Sequence, residues 1–200
     1  MHLKPTFKLI FAALLFAAVL PVYSQVAPAA NQGGLPIEVG AGFSDFLVDY
    51  GSARMGGPAA WADWYPSRLP AVLNGLGIEI AGRDLNYDRS AGLGSVLRQD
   101  TVQGGPIYTW NHFRNFRPYG KFLMGIGRLN FASTGPYQHD TFGLFSPAGG
   151  VEFHAWRHIW IRGDYEYQYW QHVFGPHDLT PNGFTIGASY DLRPWVPEKR

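Results

Sequence analysis

From Leu35 to Leu192 apolar and polar residues alternate with a period of two, the spacing of half-buried strands rather than of a helix. The last segment is the cleanest: Phe184, Ile186, Ala188, Tyr190 and Leu192 alternate with Thr185, Gly187, Ser189 and Asp191. In the segment before it, Ile159, Ile161, Gly163, Tyr165, Tyr167 and Tyr169 alternate with Arg162, Asp164, Glu166 and Gln168. Weaker versions recur upstream, and eight strands are expected at about 35–48, 54–65, 76–87, 97–110, 117–131, 139–156, 159–171 and 182–192. Turn-forming clusters separate them, such as Asp49-Tyr50-Gly51-Ser52 and Gly175-Pro176-His177-Asp178. The segment near 98–110 is strand-like, but its two faces cannot be assigned from the pattern. Residues 66–77 have room for one short helical turn.

The N-terminus breaks the rhythm. Lys4 and Lys8 precede the apolar run Leu9 to Leu20, Pro21 ends it, and Val22-Tyr23-Ser24 offers a cleavage site before Gln25. This is the layout of a secretory signal peptide. Its apolar run is too short to span a bilayer as a helix, which takes about 20 residues. The expected organisation is a signal peptide at 1–24, a flexible lead-in at 25–34, a barrel domain at 35–192 and a tail at 193–200.

Composition narrows the class. The net charge is +1, and residues 1–24 contribute two lysines and no acid, so the remainder carries 14 basic and 15 acidic residues. That balance leaves no electrostatic footprint for nucleic acid. Charged residues are 16% and aromatic residues 16% of the chain, unlike a disordered segment or a helical bundle. The absence of cysteine removes disulfide and thiol chemistry.

Alternation defines two faces without saying which meets solvent. The polar face carries Gly, Ser, Ala and Gln with a few charges and almost no lysine, unlike a soluble sheet surface. An eight-stranded barrel has an interior just wide enough for side chains to fill. Arg83, Lys121 and Arg162 are expected to pair there with Glu38, Asp63, Glu79, Glu152, Asp164 and Glu166 as a structural polar network, with acids in excess. Aromatics near strand ends (Trp61, Trp64 and Tyr65; Tyr108 and Trp110; Trp156 and Trp160; Tyr167, Tyr169 and Trp170) suggest girdles at a membrane–water boundary. Strands of about 9–11 residues suit the apolar band, and closure removes edges that lipid does not tolerate. The expected fold is therefore all-β: a closed antiparallel up-and-down eight-stranded transmembrane β-barrel.

These features resemble the small eight-stranded outer-membrane β-barrel family of the OmpA and OmpX type. The last strand resembles the signal read by the barrel-assembly machinery of such proteins, with Thr185, Gly187, Tyr190 and Leu192 at its four specified positions. Two features depart from the family pattern: the chain continues through residues 193–200, and the connection at 65–77 is long. The resemblance implies both termini in the periplasm, with connections 48–56, 86–98, 130–140 and 171–182 facing outward. It implies outer-membrane lipid and the assembly machinery as partners, a monomer without a large pore, and no cofactor. A surface partner of unknown identity would meet loop residues such as Tyr50, Tyr87, Phe131, Tyr137 and Phe174.

Two alternatives carry other chemistry. A lipid A acyl hydrolase or transferase needs a positioned His with Ser and an acid; His139 beside Asp140, His154, Ser133 and Ser146 supply the residue types without a diagnostic arrangement. A soluble periplasmic lipocalin-like carrier would turn the apolar face inward. His172 and His177 fall in one loop without the further ligands a metal site needs, so no metal is expected.

Overall fold

The computed structural model describes residues 36–49, 54–66, 69–70, 73–86, 97–113, 115–131, 139–174 and 177–192. The expected signal peptide, lead-in and C-terminal tail lie outside them. Ten strands follow in order: β1 (Ile37–Leu47), β2 (Arg54–Trp64), β3 (Leu76–Asn86), β4 (Leu97–Thr109), β5 (Phe116–Phe131), β6 (His139–Trp156), β7 (Ile159–Tyr167), β8 (Tyr169–Phe174), β9 (His177–Leu179) and β10 (Asn182–Asp191). Each of β1 to β6 pairs antiparallel with the next, β7 pairs with β10, and β10 closes on β1. The result is a closed eight-stranded ring.

The extra two strands are continuations. β8 keeps the register of β7 against β6, since Ala148↔Glu166 and Leu144↔Trp170 fall on one line. β9 leads into β10 in the same way. The break has a local cause. Pro181 has no N–H to give, so opposite Gln168 the ladder keeps one bond, from Gln168 N to Pro181 O at 2.8 Å. The strand expected at 159–171 is thus interrupted at 168 and runs on to Phe174.

Followed around the ring, the register climbs. From Ile37 it passes Trp64, Ile78 and Pro106, then Phe122 and Pro147, then Tyr167 and Asn182, and returns to β1 at Leu47, ten positions on from 37. Such a stagger requires strands tilted by roughly 35–45° to the barrel axis. One end carries the tightest connection: β6 and β7 are joined by Arg157 and His158 alone, with Arg157 at φ 43°. That positive φ fits the tight two-residue hairpin. The helical turn expected near 66–77 is reduced to a single tight turn, closed by Leu73 N donating to Pro70 O at 2.8 Å.

The large apolar side chains point away from the ring. Ile186 is 70%, Ile80 62% and Phe184 59% exposed, while their strand neighbours Thr185 and Glu79 are 3% and 0% exposed. β4 now has faces: Gln99, Thr101, Gln103, Ile107 and Thr109 point inward, and Asp100, Val102, Pro106 and Tyr108 outward. Apolar Ile107 inside and charged Asp100 outside cancel the alternation that would have revealed them.

The aromatic girdle requires a correction. Trp61, Trp160 and Trp170 share strand parity with Asp63, Arg162 and Gln168, so they point into the barrel. Trp61 and Trp170 are 6% and 0% exposed. Closeness to a strand end does not decide which face a ring takes; parity does. Trp64, Tyr108, Trp110, Trp156, Tyr167 and Tyr169 remain on the outside or in a turn.

Candidate functional site

The interior is the site where the sequence concentrates its chemistry. Inward parity on six strands brings six buried carboxylates, Glu38, Asp63, Glu79, Glu152, Asp164 and Glu166, against four buried cations, Arg83, Arg117, Lys121 and Arg162. Arg162 is the hub. Its Nη1 donates to Asp63 Oδ2 at 2.9 Å, its Nε to the Tyr119 hydroxyl at 2.7 Å, and its Nη2 to Glu79. The Tyr119 hydroxyl in turn donates a hydrogen bond to Asp164 Oδ2 at 2.7 Å. Lys121 bridges Glu79 at 2.8 Å and Asp164 at 3.2 Å.

Toward the looped end, Arg83 grips Glu166 with both terminal nitrogens, at 2.9 and 2.6 Å, the planar fork that suits a carboxylate. Gln103 and Gln168 donate to the same Glu166, at 3.2 and 2.9 Å. Toward the short-turn end, Arg117 Nη2 lies 2.9 Å from Glu38 and 2.7 Å from Glu152. Ser189 adds a hydrogen bond to Glu38. Arg117 also sits 3.6 Å over the Trp160 ring and Arg162 4.8 Å from that of Trp61, so the inward tryptophans act as cation–π partners.

Each of the nine charged residues singled out from the sequence lies in this lattice. The sequence pattern does not single out Arg117, Tyr119, Gln99 or Gln103, while Gln168 stands on the polar face it reads. Arg117 follows Phe116 and precedes Pro118, where no alternation was legible. The signal available was its parity with Lys121, four residues on.

The excess of acid falls at the short-turn end. One oxygen each from Glu38, Asp63 and Glu152 lies within 4.8 Å of the others, the one such cluster among the described residues. Asp63 Oδ1 and both Glu152 oxygens make no hydrogen bond, although Glu152 keeps its ion contact with Arg117. Arg117 and Arg162 already supply positive charge there.

Nearer the loops the interior turns apolar. Trp170 packs with Leu129, Leu144, Leu179 and Phe142, and Phe46, Val48, Met55 and Leu85 form a second cluster. Gly127 is the seat of Trp170: a Cβ there would lie 2.0 Å from the ring. The indole N–H donates to Gln168 Oε1 at 2.9 Å, tying this plug to the lattice below.

Among the described side chains, the histidine and serine candidates Ser146 and His154 do not assemble. Ser146 and His154 lie eight positions apart on β6, from 146 to 154, or about 26 Å along an extended strand. His154 Nε2 is paired with the Arg157 carbonyl at 2.9 Å instead. His139 and Asp140 begin β6, and Ser133 lies outside the described residues. His172 is on β8 and His177 on β9. Of the loop residues, Tyr50, Tyr87 and Tyr137 lie outside the described residues, while Phe131 and Phe174 end β5 and β8.

A polar interior inside an apolar exterior is the inverse of a soluble barrel and suits lipid. The chain matches the outer membrane protein beta-barrel domain over residues 10–191. It belongs to that family. Among solved structures, this outer-membrane barrel is similar to neisserial surface protein A, with a TM-score of 0.59 and 12% identity over 78% of this chain and 95% of that one. It is also similar to Ail, the attachment invasion locus protein of Yersinia pestis, with a TM-score of 0.54 and 18% identity over 77% and 96% of the two chains. At such identities the likeness shows the shared fold alone. No curated protein matches the chain in sequence. Family and inverted faces together place the barrel in the lipid of the outer membrane, and they exclude the soluble carrier with its apolar interior.

Proposed function

We propose that this outer-membrane barrel is a closed structural scaffold that presents its outward loops, and that its lumen is a strut rather than a pore. One observation carries the proposal: the inward side chains among the described residues are buried, in the ionic lattice below and the Trp170 cluster above. An unpaired charge in so narrow a space is costly, so the pairs hold one another in place and leave no wet path. Fixed lumen charges and a plug suit a platform for the β8–β9 hairpin, which extends the wall past the barrel rim.

The same proposal assigns residues 1–24 as a cleaved export signal and Thr185, Gly187, Tyr190 and Leu192 as the assembly signal. Thr185 and Gly187 face the lumen, while Tyr190 and Leu192 face lipid, at 47% and 41% exposure. An aromatic and an apolar side chain on the lipid face of the closing strand are accessible to another protein before the ring shuts. The barrel acts as a monomer and carries no catalytic centre of its own.

The test is electrical. Purified protein in planar bilayers should give no sustained open-channel steps, and Trp170→Ala alone should not open one, because the lattice still blocks the way. Large, stable conductance from the wild-type protein would overturn the scaffold assignment.

A further inference from the structure

Charge is balanced in one half of the lumen and not in the other. Glu79, Asp164 and Glu166 meet Lys121, Arg162 and Arg83, three acids against three cations. Toward the short-turn end, Glu38, Asp63 and Glu152 have Arg117 between them and a share of Arg162 from above. Six buried carboxylates against four buried cations leave an excess of two negative charges, and it falls within this group of three. Uncompensated charge in a narrow interior is costly, because neither water nor an opposite charge stabilises it.

The three acids converge from different parts of the ring. Glu38 on β1 stands directly across from Asp63 on β2, a like-charged pair that destabilises a sheet when no positive charge lies between its members. Glu152 reaches the same place from β6, which β7 and β10 separate from β1. One oxygen of each lies within 4.8 Å of the others, and all three residues are fully buried. Their partners do not use up their lone pairs. Glu38 accepts from Ser189 and from Arg117, and Asp63 Oδ2 accepts from Arg162. Asp63 Oδ1 and both Glu152 oxygens accept no hydrogen bond. Arg117 and Arg162 approach Glu152 only as charges, at 2.7 and 3.9 Å.

We propose that Glu38, Asp63 and Glu152 bind one calcium ion in the lower lumen. Its two positive charges equal the excess of acid. Carboxylate oxygens are the ligands that a hard cation takes. Calcium sits about 2.3–2.6 Å from each ligand, so two oxygens on one ion stand at most about 5 Å apart, a limit these three acids meet. Its coordination is flexible, which suits a site whose other sides are taken by two guanidiniums; magnesium demands a near-ideal octahedron. The ion ties the β1–β2 wall to β6 across the ring, so its binding adds to the stability of the closed barrel. The inference goes beyond the scaffold proposal, since a closed lumen requires no metal: channel recording tests the one, and calcium binding the other.

The experiment uses the full barrel in phosphatidylcholine vesicles, whose headgroups carry no net charge. Metal is stripped with a chelator, and calcium or magnesium is then added alone. Bound metal is counted by atomic emission after free ion is removed, and urea unfolding is followed by gel mobility without boiling. One calcium per barrel should be retained, and the urea midpoint should rise with the logarithm of calcium concentration, as linkage requires. Magnesium, the control for charge screening, should raise it less. Glu152→Gln should retain no calcium and lose the calcium dependence. In the chelator the same variant should unfold at higher urea than the native chain, because it removes one charge of the excess. Asp84→Asn, in an exposed ion pair on the outer wall, should change neither readout. If Glu152→Gln does not fold, the native chain with calcium, magnesium or chelator at mildly acid and mildly alkaline pH carries the test. Indifference to calcium at both pH values, which would mean that protons fill the balance, would overturn the assignment. So would an equal rise with magnesium, or calcium that survives Glu152→Gln and is lost with Asp84→Asn.

Discussion

Arg162 offers the sharpest test of the lumen. Replacing it with alanine removes a 1% exposed guanidinium from between Asp63, Glu79 and Tyr119. Glu79 keeps Lys121, but among the described residues Asp63 has no hydrogen-bond partner besides Arg162. Removing one member of a buried ion pair strands the other charge and costs about 3–5 kcal/mol. Arg162→Lys keeps the charge but cannot reach three acceptors in one plane, so it should lose less than alanine and more than nothing. Adding Asp63→Asn to Arg162→Ala removes the stranded charge, and the double variant should recover part of the loss. The assay is urea unfolding of the barrel in lipid vesicles, followed by tryptophan fluorescence and by gel mobility without boiling. Single-channel recording runs in parallel. A loss under about 1 kcal/mol, the range of an exposed pair, would refute the argument that the lattice holds the barrel together. So would a rise in conductance with stability unchanged.

Three other outcomes are expected. Ile186→Arg on the lipid face should cost about 2–4 kcal/mol in the same unfolding assay, and Ile186→Leu almost nothing; equal effects would mean that the position does not meet lipid. Trp170→Ala should cost about 3–5 kcal/mol by opening a cavity, and Gly127→Val should also destabilise by driving a side chain into that ring; neutrality of both would remove the plug from the account. Tyr190→Ala with Leu192→Ala should lower outer-membrane yield in cells while leaving refolding of purified protein into detergent unchanged, as measured by gel mobility; equal losses in both would point to a stability defect rather than to assembly.

The architecture was legible because lipid strands alternate so strictly. On β10 every large apolar residue falls on one parity, and on β7 every one but Trp160 does; those segments alone carry the strand type and both faces. The nine lumen charges were legible for the same reason, since each interrupts an apolar rhythm at an inward position. β4 was not, because Ile107 inside and Asp100 outside break the parity from both directions. Nor did position along a strand tell Trp61 from Trp64. Both stand near the end of β2, and one packs over the lumen face at Gly40 while the other meets lipid. The break at Gln168 was hidden by distance in sequence, since its cause is Pro181 on the neighbouring strand. The pairing of Arg83 with Glu166 spans 83 residues and follows from closure of the ring, not from local pattern.

The central claim is that the apolar face of the barrel meets lipid while the polar face is enclosed. The chain contains no cysteine, so a single introduced cysteine carries a spin label at one known place. Labels at positions 184 to 189, one at a time along β10 in vesicles, should report oxygen accessibility with a period of two. It should be high at Phe184→Cys, Ile186→Cys and Ala188→Cys, and low at Thr185→Cys, Gly187→Cys and Ser189→Cys, with a water-soluble nickel reagent reaching neither set. Access of the nickel reagent to the 184, 186 and 188 positions would mean that this face is in water, and the membrane barrel would be wrong.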